Sequence, residues 1–343
     1  MELQSSFVVT RTPLRISLFG GGSDMPSYYQ GSGRGAVLSF AINRATFVTV
    51  KRHTEFFDER YRLNYHISET VGLVAEIRNN IARETLEYLQ SEGRFYISTI
   101  SDLPSGNGLG SSSSFCVGLL RALRAFENQR TSLLDLAEEA CHIEIERVGS
   151  PIGKQDQYAC ALGGVNRLEF MANGTVVATR VPNGKKTLES VAESSVLVWT
   201  GISRNANDVL ADQDGKNRQQ SNQRHLDRLV KLADEAFEMF CADGMDARSL
   251  GEMLHEGWNL KRGLTRLVSN PDIDALYEDA RNHGAFGGKL LGAGGGGFVL
   301  LVFPQEKRDA YVRRLAGSGQ KYLDVVPAES GSETVCQILG NGT

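Results

Sequence analysis

Several features that would fix a function class outright are absent from this chain of 343 residues. The five cysteines (Cys116, Cys141, Cys160, Cys241, Cys336) are scattered, odd in number and never paired as CxxC. That argues against a disulfide framework or a thiolate zinc site. The six histidines show no HxxxH or other metal spacing. No apolar run approaches the ~20 residues that a membrane span needs. Positive charge is not in excess either: 37 Lys and Arg stand against 41 Asp and Glu, a net charge of −4. This leaves no electrostatic case for nucleic acid or an anionic membrane surface. The opening "MELQSSFVVTRTPLRIS" lacks a basic stretch followed by a long apolar core, so it does not read as a secretory signal. The expectation is a cytoplasmic protein in a reducing compartment, with no nucleic-acid and no membrane partner.

Glycine, by contrast, is plentiful: 37 residues, much of it in four clusters, "FGGGSD" (19–24), "GSGRG" (31–35), "SGNGLG" (105–110) and "GGKLLGAGGGGF" (287–298). In a chain of ordinary hydrophobic (41%) and charged (23%) content, such clusters mark loops where backbone must approach something closely. Around them, "SFVVTRTPLRISLF" reads as a strand or strand pair interrupted at Pro13, and "GAVLSFAI" and "RATFVTVKR" as two more strands. Leu73, Ile77, Ile81, Leu86 and Leu89 predict a helix over 71–91. After the strand "RFYISTIS", residues 113–128 place Cys116, Leu119, Leu120, Leu123 and Phe126 on one helical face. Ser132 with Asp135 predicts a capped helix over "LLDLAEEACHIEIERV". A hairpin around "MANG" follows, then "VPNGKKTLESVAESS", read as the route between two domains. Beyond the strand "SVLVWTG", residues 204–267 read as mainly helical with breaks at Gly215 and Gly244. Strands and helices mix without strict βαβ alternation, which favours α+β over a doubly wound sheet.

The stretch "SDLPSGNGLGSSSSFCVGLL" (101–120) sets glycines and four consecutive serines between a strand and a helix. A helix start offers unpaired N–H groups and a partial positive charge. Glycines let that backbone close on an anion without Cβ clashes, and phosphate is the natural guest. No GK[ST] follows, so this is not a Walker A loop, and Ser111 stands where a dinucleotide fingerprint needs its third glycine. Taken alone, the stretch is equally a flexible loop with a serine-rich cap.

It does not stand alone. "PLRISLFGGGSD", "LPSGNGLGSSSS" and "KLLGAGGGGF" resemble, in order and spacing across residues 13–298, the three motifs of the GHMP kinases. "GKQDQYACALGG" and "WTGISRNANDVL" resemble the branch that phosphorylates a heptose 7-phosphate at C1, with fucokinase-type enzymes close by. Galactokinases carry Glu-His where this chain has Gly21 and Gly22. The resemblance implies a two-lobed α+β fold, with an N-terminal lobe like domain 2 of ribosomal protein S5 (residues 1–190) and a ferredoxin-like C-terminal lobe (191–343). It implies ATP and Mg2+ as cofactors, a sugar phosphate as acceptor and a homodimer as one expected state. The reaction expected is transfer to the anomeric hydroxyl of D-glycero-D-manno-heptose 7-phosphate, giving the 1,7-bisphosphate. A kinase of an unphosphorylated sugar, such as fucose or galactose, and a non-catalytic sensor of the same fold are the rivals.

Residue by residue, the resemblance places the nucleotide phosphates on Gly106, Asn107, Gly108, Gly110, Ser111, Ser112 and Ser113. It gives Ser112 to magnesium with Glu146 as carboxylate partner; Glu144 stays open, because the interval to Asp156 is one residue short and the two glutamates diverge by about 200° on an α-helix. Asp156 would accept or orient the proton of the attacking hydroxyl, with Arg15 stabilising it and Lys154 as a second cation. The alternative for Asp156 is a turn or cap aspartate. Gly21, Gly22, Ser23 and Asp24 would meet the sugar, with Gly294 and Gly295 shaping the wall; Asp24 could otherwise cap the next helix. Arg204 is the first candidate for the acceptor's own phosphate, ahead of Arg34, Lys51, Arg52 and Arg167.

Overall fold

The computed structural model describes residues 3–91, 93–203 and 206–341. In chain order the elements are β1 (Leu3–Phe19), α1 (Pro26–Ser32), β2 (Arg34–Arg52), β3 (Tyr61–Asn64), β4 (Ser68–Val71), α2 (Asn80–Tyr88), β5 (Phe95–Ser101), α3 (Ser111–Phe126) and α4 (Leu133–Cys141). There follow α5 (Gln155–Leu162), β6 (Val165–Met171), β7 (Val176–Arg180), α6 (Gly184–Ala192), β8 (Ser195–Trp199), α7 (Ala206–Arg218), α8 (Gln223–Cys241), α9 (Ala247–Leu264) and α10 (Pro271–Asn282). The chain ends with β9 (Gly287–Leu290), β10 (Phe298–Val302), α11 (Gln305–Ser318), β11 (Tyr322–Asp324) and β12 (Glu333–Asn341).

The strands form two sheets, one in the order β12-β1-β2-β5-β3-β4 with β6 also pairing β2 and β7 pairing β6, the other β11-β8-β10-β9. The expected division at residue 190 is crossed by the chain's end, because β12 returns to pair antiparallel with β1. The interrupted strand pairs of the sequence reading are two long, bent strands. Pro13 faces Ala45 while Leu14 already faces Ile42, so Asn43 and Arg44 bulge out of the ladder. A bulge tolerates a proline and bends the strand without ending it. Past that bend β2 changes neighbours: residues 34–40 pair with β6 and 46–52 with β5.

α3 lies on this sheet. Its apolar face (Cys116, Val117, Leu119, Leu120, Leu123) is buried, each leucine contributing roughly 1.5–3 kcal/mol by leaving water. Gly118 sets the depth of packing: a Cβ there would lie 3.0 Å from Thr12 Oγ1, and Thr10 donates to its carbonyl at 2.9 Å. The second sheet is covered on both faces, which is why "FVLLV" is buried throughout. Val299 and Leu301 join Trp258, Ile273 and Tyr311 in one core, whereas Leu300 and Val302 join the core that also holds Leu14, Leu120 and Leu226. The two sheets therefore share continuous packing.

Three other expectations shift. Residues 71–79 are strand end and turn; the helix starts at Asn80, where the Asn79 side chain accepts from Ala82 N. The supposed interdomain route contains α6, whose Leu188 and Val191 are buried. The helical region breaks at 219–222 and 242–246, while Gly215 sits inside α7 with open space around it.

Candidate active site

The first glycine stretch, the phosphate-loop candidate and the third glycine stretch meet at one cleft. Gly106, Gly108 and Gly110 all have positive φ (73°, 82°, 79°), which turns the chain out of β5 and into α3. Gly110 is the N-cap of α3 and supplies no side chain, so the first amides of this 16-residue helix are not capped by one. Asn107 is buried and its amide is spent on the loop: Nδ2 donates to Pro104 O at 2.8 Å and Oδ1 accepts from Leu109 N at 2.7 Å. Its side chain shapes the cradle and does not face a ligand.

Arg15, on β1, connects this loop to Asp156. Nε donates to Asp156 Oδ1 at 2.7 Å, Nη2 donates to Oδ2, and Nη1 donates to Gly108 O at 2.8 Å. Asp156 lies in the first turn of α5, and Lys154, not Asp156, occupies the N-cap position. Both carboxylate oxygens are thus held by the guanidinium. Lys154 itself points elsewhere: its ammonium donates to Glu138 at 2.8 Å and to Gly174 O at 3.2 Å. The second cation expected beside Asp156 is not Lys154, because Glu138 and the β6–β7 turn hold it.

The magnesium-partner expectation is corrected in the same way. Glu144 is buried, and accepts from Ser112 Oγ (2.6 Å), Ser113 Oγ (2.7 Å) and Gln157 Nε2 (2.7 Å). Glu146 is exposed and sits 2.9 Å from His142 Nδ1. Residues His142–Arg147 form a π-helical turn, and the expected divergence of the two glutamates holds within it, Glu144 facing Ser112 and Glu146 facing solvent. Burial pushes the Glu144 carboxyl up, while its three donors pull the other way.

On the acceptor side, Asp24 is buried and accepts from Gly22 N (2.9 Å), Gln155 Nε2 (2.9 Å) and Gln155 N (3.3 Å). It does not cap α1, whose N-cap is Met25. Burial raises the Asp24 pKa and the charge of Asp156 adds to it, against the pull of the amide bonds. A Cβ on Gly153 would fall 2.0 Å from Asp24 Oδ2, so only glycine fits there. Ser23 faces away: its hydroxyl exchanges hydrogen bonds with Ala36 N and O, both 3.1 Å. Gly294 and Gly295 also turn from the cavity, packing on Val268, with Gly295 N donating to Val268 O at 2.8 Å. Gly292 and Ala293 line it instead, with Arg15, Gly21, Gly22, Asp24 and Asp156.

Two further lining residues had not been singled out, Lys261 of α9 and Lys289 of β9. Lys289 is buried and donates to Ser17 O (2.9 Å) and Leu18 O (2.8 Å); Lys261 donates to Leu290 O (3.0 Å) and Gly292 O (2.5 Å). Burial, with the Arg15 charge adding and Asp156 opposing, brings Lys261 down to about 7. Lys289 is pushed well below its usual value by burial, then by Lys261 and Arg15. Lys289 could have been noticed as the lone charge inside "GGKLL"; nothing in the pattern marks Lys261. The other phosphate-partner candidates lie outside the cavity. Arg34 and Arg167 engage Glu169 and Asp234, Arg52 stacks over Phe126, and Lys51 is exposed. Arg204 lies outside the described residues.

Comparison with known proteins follows the same outline. The model for the GHMP kinase N-terminal domain matches residues 74–164, and that for the GHMP kinase C-terminal region matches 226–320. A D-glycero-α-D-manno-heptose 7-phosphate kinase of Campylobacter jejuni is 30% identical over 319 residues, covering 89% of this chain and 92% of the relative. This chain belongs to the GHMP kinases. A galactokinase of Pyrococcus furiosus is 24% identical, covering 94% of this chain and 99% of that one. Among solved structures, a D-glycero-D-manno-heptose 1-phosphate kinase of Bacteroides thetaiotaomicron superposes with a TM-score of 0.77 at 22% identity, covering 95% of this chain and 98% of that one. A mevalonate kinase structure gives 0.71 at 21%, with coverage of 94% and 99%. The chain thus has the GHMP kinase fold, mixed α and β, and among the described residues no helix is long and apolar enough to cross a membrane.

GHMP kinases are ATP-dependent and generally need Mg2+. The donors around Glu144 suit that ion: a carboxylate and two hydroxyls, all oxygen, beside an amide-rich loop. Among the described residues no group of three or more His, Cys, Asp or Glu side chains could cage a metal. One carboxylate with a serine and nucleotide oxygens matches the way Mg2+ keeps most of its shell outside the protein.

Proposed function

We propose that the protein is an ATP- and Mg2+-dependent kinase that phosphorylates the anomeric C1 hydroxyl of D-glycero-D-manno-heptose 7-phosphate. The observation that carries this reading is the Arg15–Asp156 fork. It sits between the phosphate loop, through Gly108, and a polar cavity walled by the first glycine stretch. The amides around 106–113 hold the nucleotide phosphates. Glu144 and Ser112 hold Mg2+, which supplies charge neutralisation on those phosphates. Asp156, held in place by Arg15, accepts the hydrogen bond of the attacking hydroxyl and takes its proton. Arg15 meets negative charge as it develops on the transferring group. Asp24 receives hydroxyl protons of the sugar and fixes its orientation. Lys261 and Lys289, each bonded to two main-chain carbonyls, complete the polar lining of the cavity.

The heptose assignment draws on the Campylobacter jejuni relative, whose name specifies this substrate. It is tested by incubating the protein with ATP, Mg2+ and a panel of heptose 7-phosphate, fucose and galactose. Turnover of heptose 7-phosphate to a bisphosphate is expected. Turnover of a free sugar alone would replace the substrate, and sugar binding without any transfer would make the protein a sensor.

A further inference from the structure

We propose that Gln213 of α7 is an acceptor-specificity residue, whose side-chain amide donates to a hydroxyl of a polyhydroxylated substrate. The proposal rests on the reading of this cavity as the acceptor site. Gln213 is buried, lines the cavity, and its Nε2 has no hydrogen-bond partner. Two more buried polar atoms without a partner line the same cavity, Ser17 Oγ and Gln155 Oε1. Buried polar atoms are normally satisfied, and three exceptions around one space call for an occupant that satisfies them.

Their placement fixes the kind of occupant. Gln155 Nε2 donates to Asp24, which as a carboxylate can only accept, so Gln155 Oε1 is the end left over. Ser17 Oγ and both amide atoms of Gln155 lie 3.6–3.9 Å from where a Cβ of Gly21 would be. Gln213 Nε2 lies 2.3 Å from where a Cβ of Gly22 would be. Gly21 thus leaves open the space that Ser17 and Gln155 border, and Gly22 leaves room for the Gln213 amide to reach its edge. Around it stand donors (Gln213), acceptors (Asp24, Gln155 Oε1) and a hydroxyl that does both (Ser17). A ligand presenting several hydroxyls, each donor and acceptor at once, matches that set; an apolar chain would leave Gln213 Nε2, Gln155 Oε1 and Ser17 Oγ unpaired. Of these residues Gln213 alone comes from α7, which lies between β8 and β9 of the second sheet, whereas Ser17, Asp24 and Gln155 come from β1, the loop after it and α5.

The test compares wild type with Gln213→Leu, which keeps bulk but removes the donor, and Gln213→Glu, which replaces the amide donor with an acceptor. KM for heptose 7-phosphate, KM for ATP, kcat and Tm are measured for each, with calorimetric titration of heptose 7-phosphate in the absence of ATP. The acceptor KM and the calorimetric Kd should each rise about tenfold, the worth of one lost hydrogen bond, while KM for ATP and Tm stay put. Unchanged acceptor constants in both variants would overturn the proposal. So would a parallel rise in both KM values, or a Tm drop that accounts for the loss, since either would mark a packing role. If wild type turns over another sugar of the panel instead, the substrate assignment falls, and the same variants measured with that sugar still decide the role of Gln213. If wild type binds no sugar of the panel, both fall together.

Discussion

Arg15 grips Asp156 through Nε and Nη2 and, from the same guanidinium, reaches the carbonyl of Gly108 in the phosphate loop. One buried side chain therefore sets the distance between the proposed base and the proposed nucleotide site. Asp156→Asn keeps the volume but cannot take a proton. It should lower kcat by about 10²–10⁴-fold, the usual worth of a positioned base, with ATP affinity retained. Steady-state kinetics and an ATP titration check this; undiminished turnover removes Asp156 from the mechanism. Arg15→Lys should lose the fork and fail to restore activity.

The two candidate magnesium carboxylates make opposite predictions. Glu144→Gln should raise the Mg2+ concentration needed for half-maximal rate by on the order of 10–100-fold. Glu146→Gln should leave that concentration unchanged, because Glu146 faces solvent and touches only His142. A magnesium titration of the rate distinguishes them, and sensitivity of the Glu146 variant alone would reverse the assignment.

Lys154, close to Asp156 in sequence, is tied to Glu138 and Gly174 O. Lys154→Met should therefore leave kcat near wild type. Its effect belongs to stability, at most about 1 kcal/mol for a partly exposed pair. A large fall in kcat at unchanged Tm would bring Lys154 back into the site.

These cases show what the sequence could and could not carry. Glycine clusters at fixed order are local, so the three loops were legible, and so was the company of Arg15 and Asp156, which the structure brings into contact. The choice between Glu144 and Glu146 was not, because spacing along the chain left both open and only the packing of the turn against α3 sets Glu144 on Ser112 and Ser113. Nor were Lys261 and Gln213, which reach the cleft from α9 and α7 through tertiary packing alone. β2 was read as two strands, and β1 left open between one strand and two, for a related reason: the bulge at Asn43–Arg44 and Pro13 has the composition of a turn, and only the partner strand decides that pairing continues. Gly294 and Gly295 belonged to the right loop but the wrong side of it, since which glycine faces a cavity depends on backbone dihedrals that one-letter spacing does not encode.

Lys261 gives the protein a pH signature. Its folded pKa is held near about 7, against 10.5 for a free lysine. Between those values the unfolded chain binds the extra proton and the folded one does not. This residue's contribution therefore makes stability rise as pH rises through that window; below it both states are protonated and the penalty is constant. Lys261→Met cannot titrate, so it should flatten the slope of Tm against pH between about 7 and 10. Thermal melts across that range decide it: equal slopes in the two proteins would mean that Lys261 stays charged in the fold.

The phosphate loop and the glycine loop at 292–297 touch backbone to backbone, which leaves no room for a side chain at their contact. A Cβ on Gly108 would lie 2.7 Å from Leu291 O, and one on Gly292 would lie 2.6 Å from Gly108 Cα. Both residues also have positive φ, 82° and 70°, which alanine resists. Phe298 N donates across the same seam to Asn107 O at 3.1 Å, so relief of either clash pulls on the ladder of β10. Neither neighbour is a flexible side-chain tip; both are main chain. Gly108→Ala or Gly292→Ala should therefore lower Tm and raise the KM for ATP together, because the loop that offers its amides can no longer sit against its support. Gly31→Ala is the control, with nothing within 4 Å of its added methyl, and should be silent in both measurements. If Gly108→Ala binds ATP as wild type does, the amides around that residue are not where the nucleotide phosphates rest.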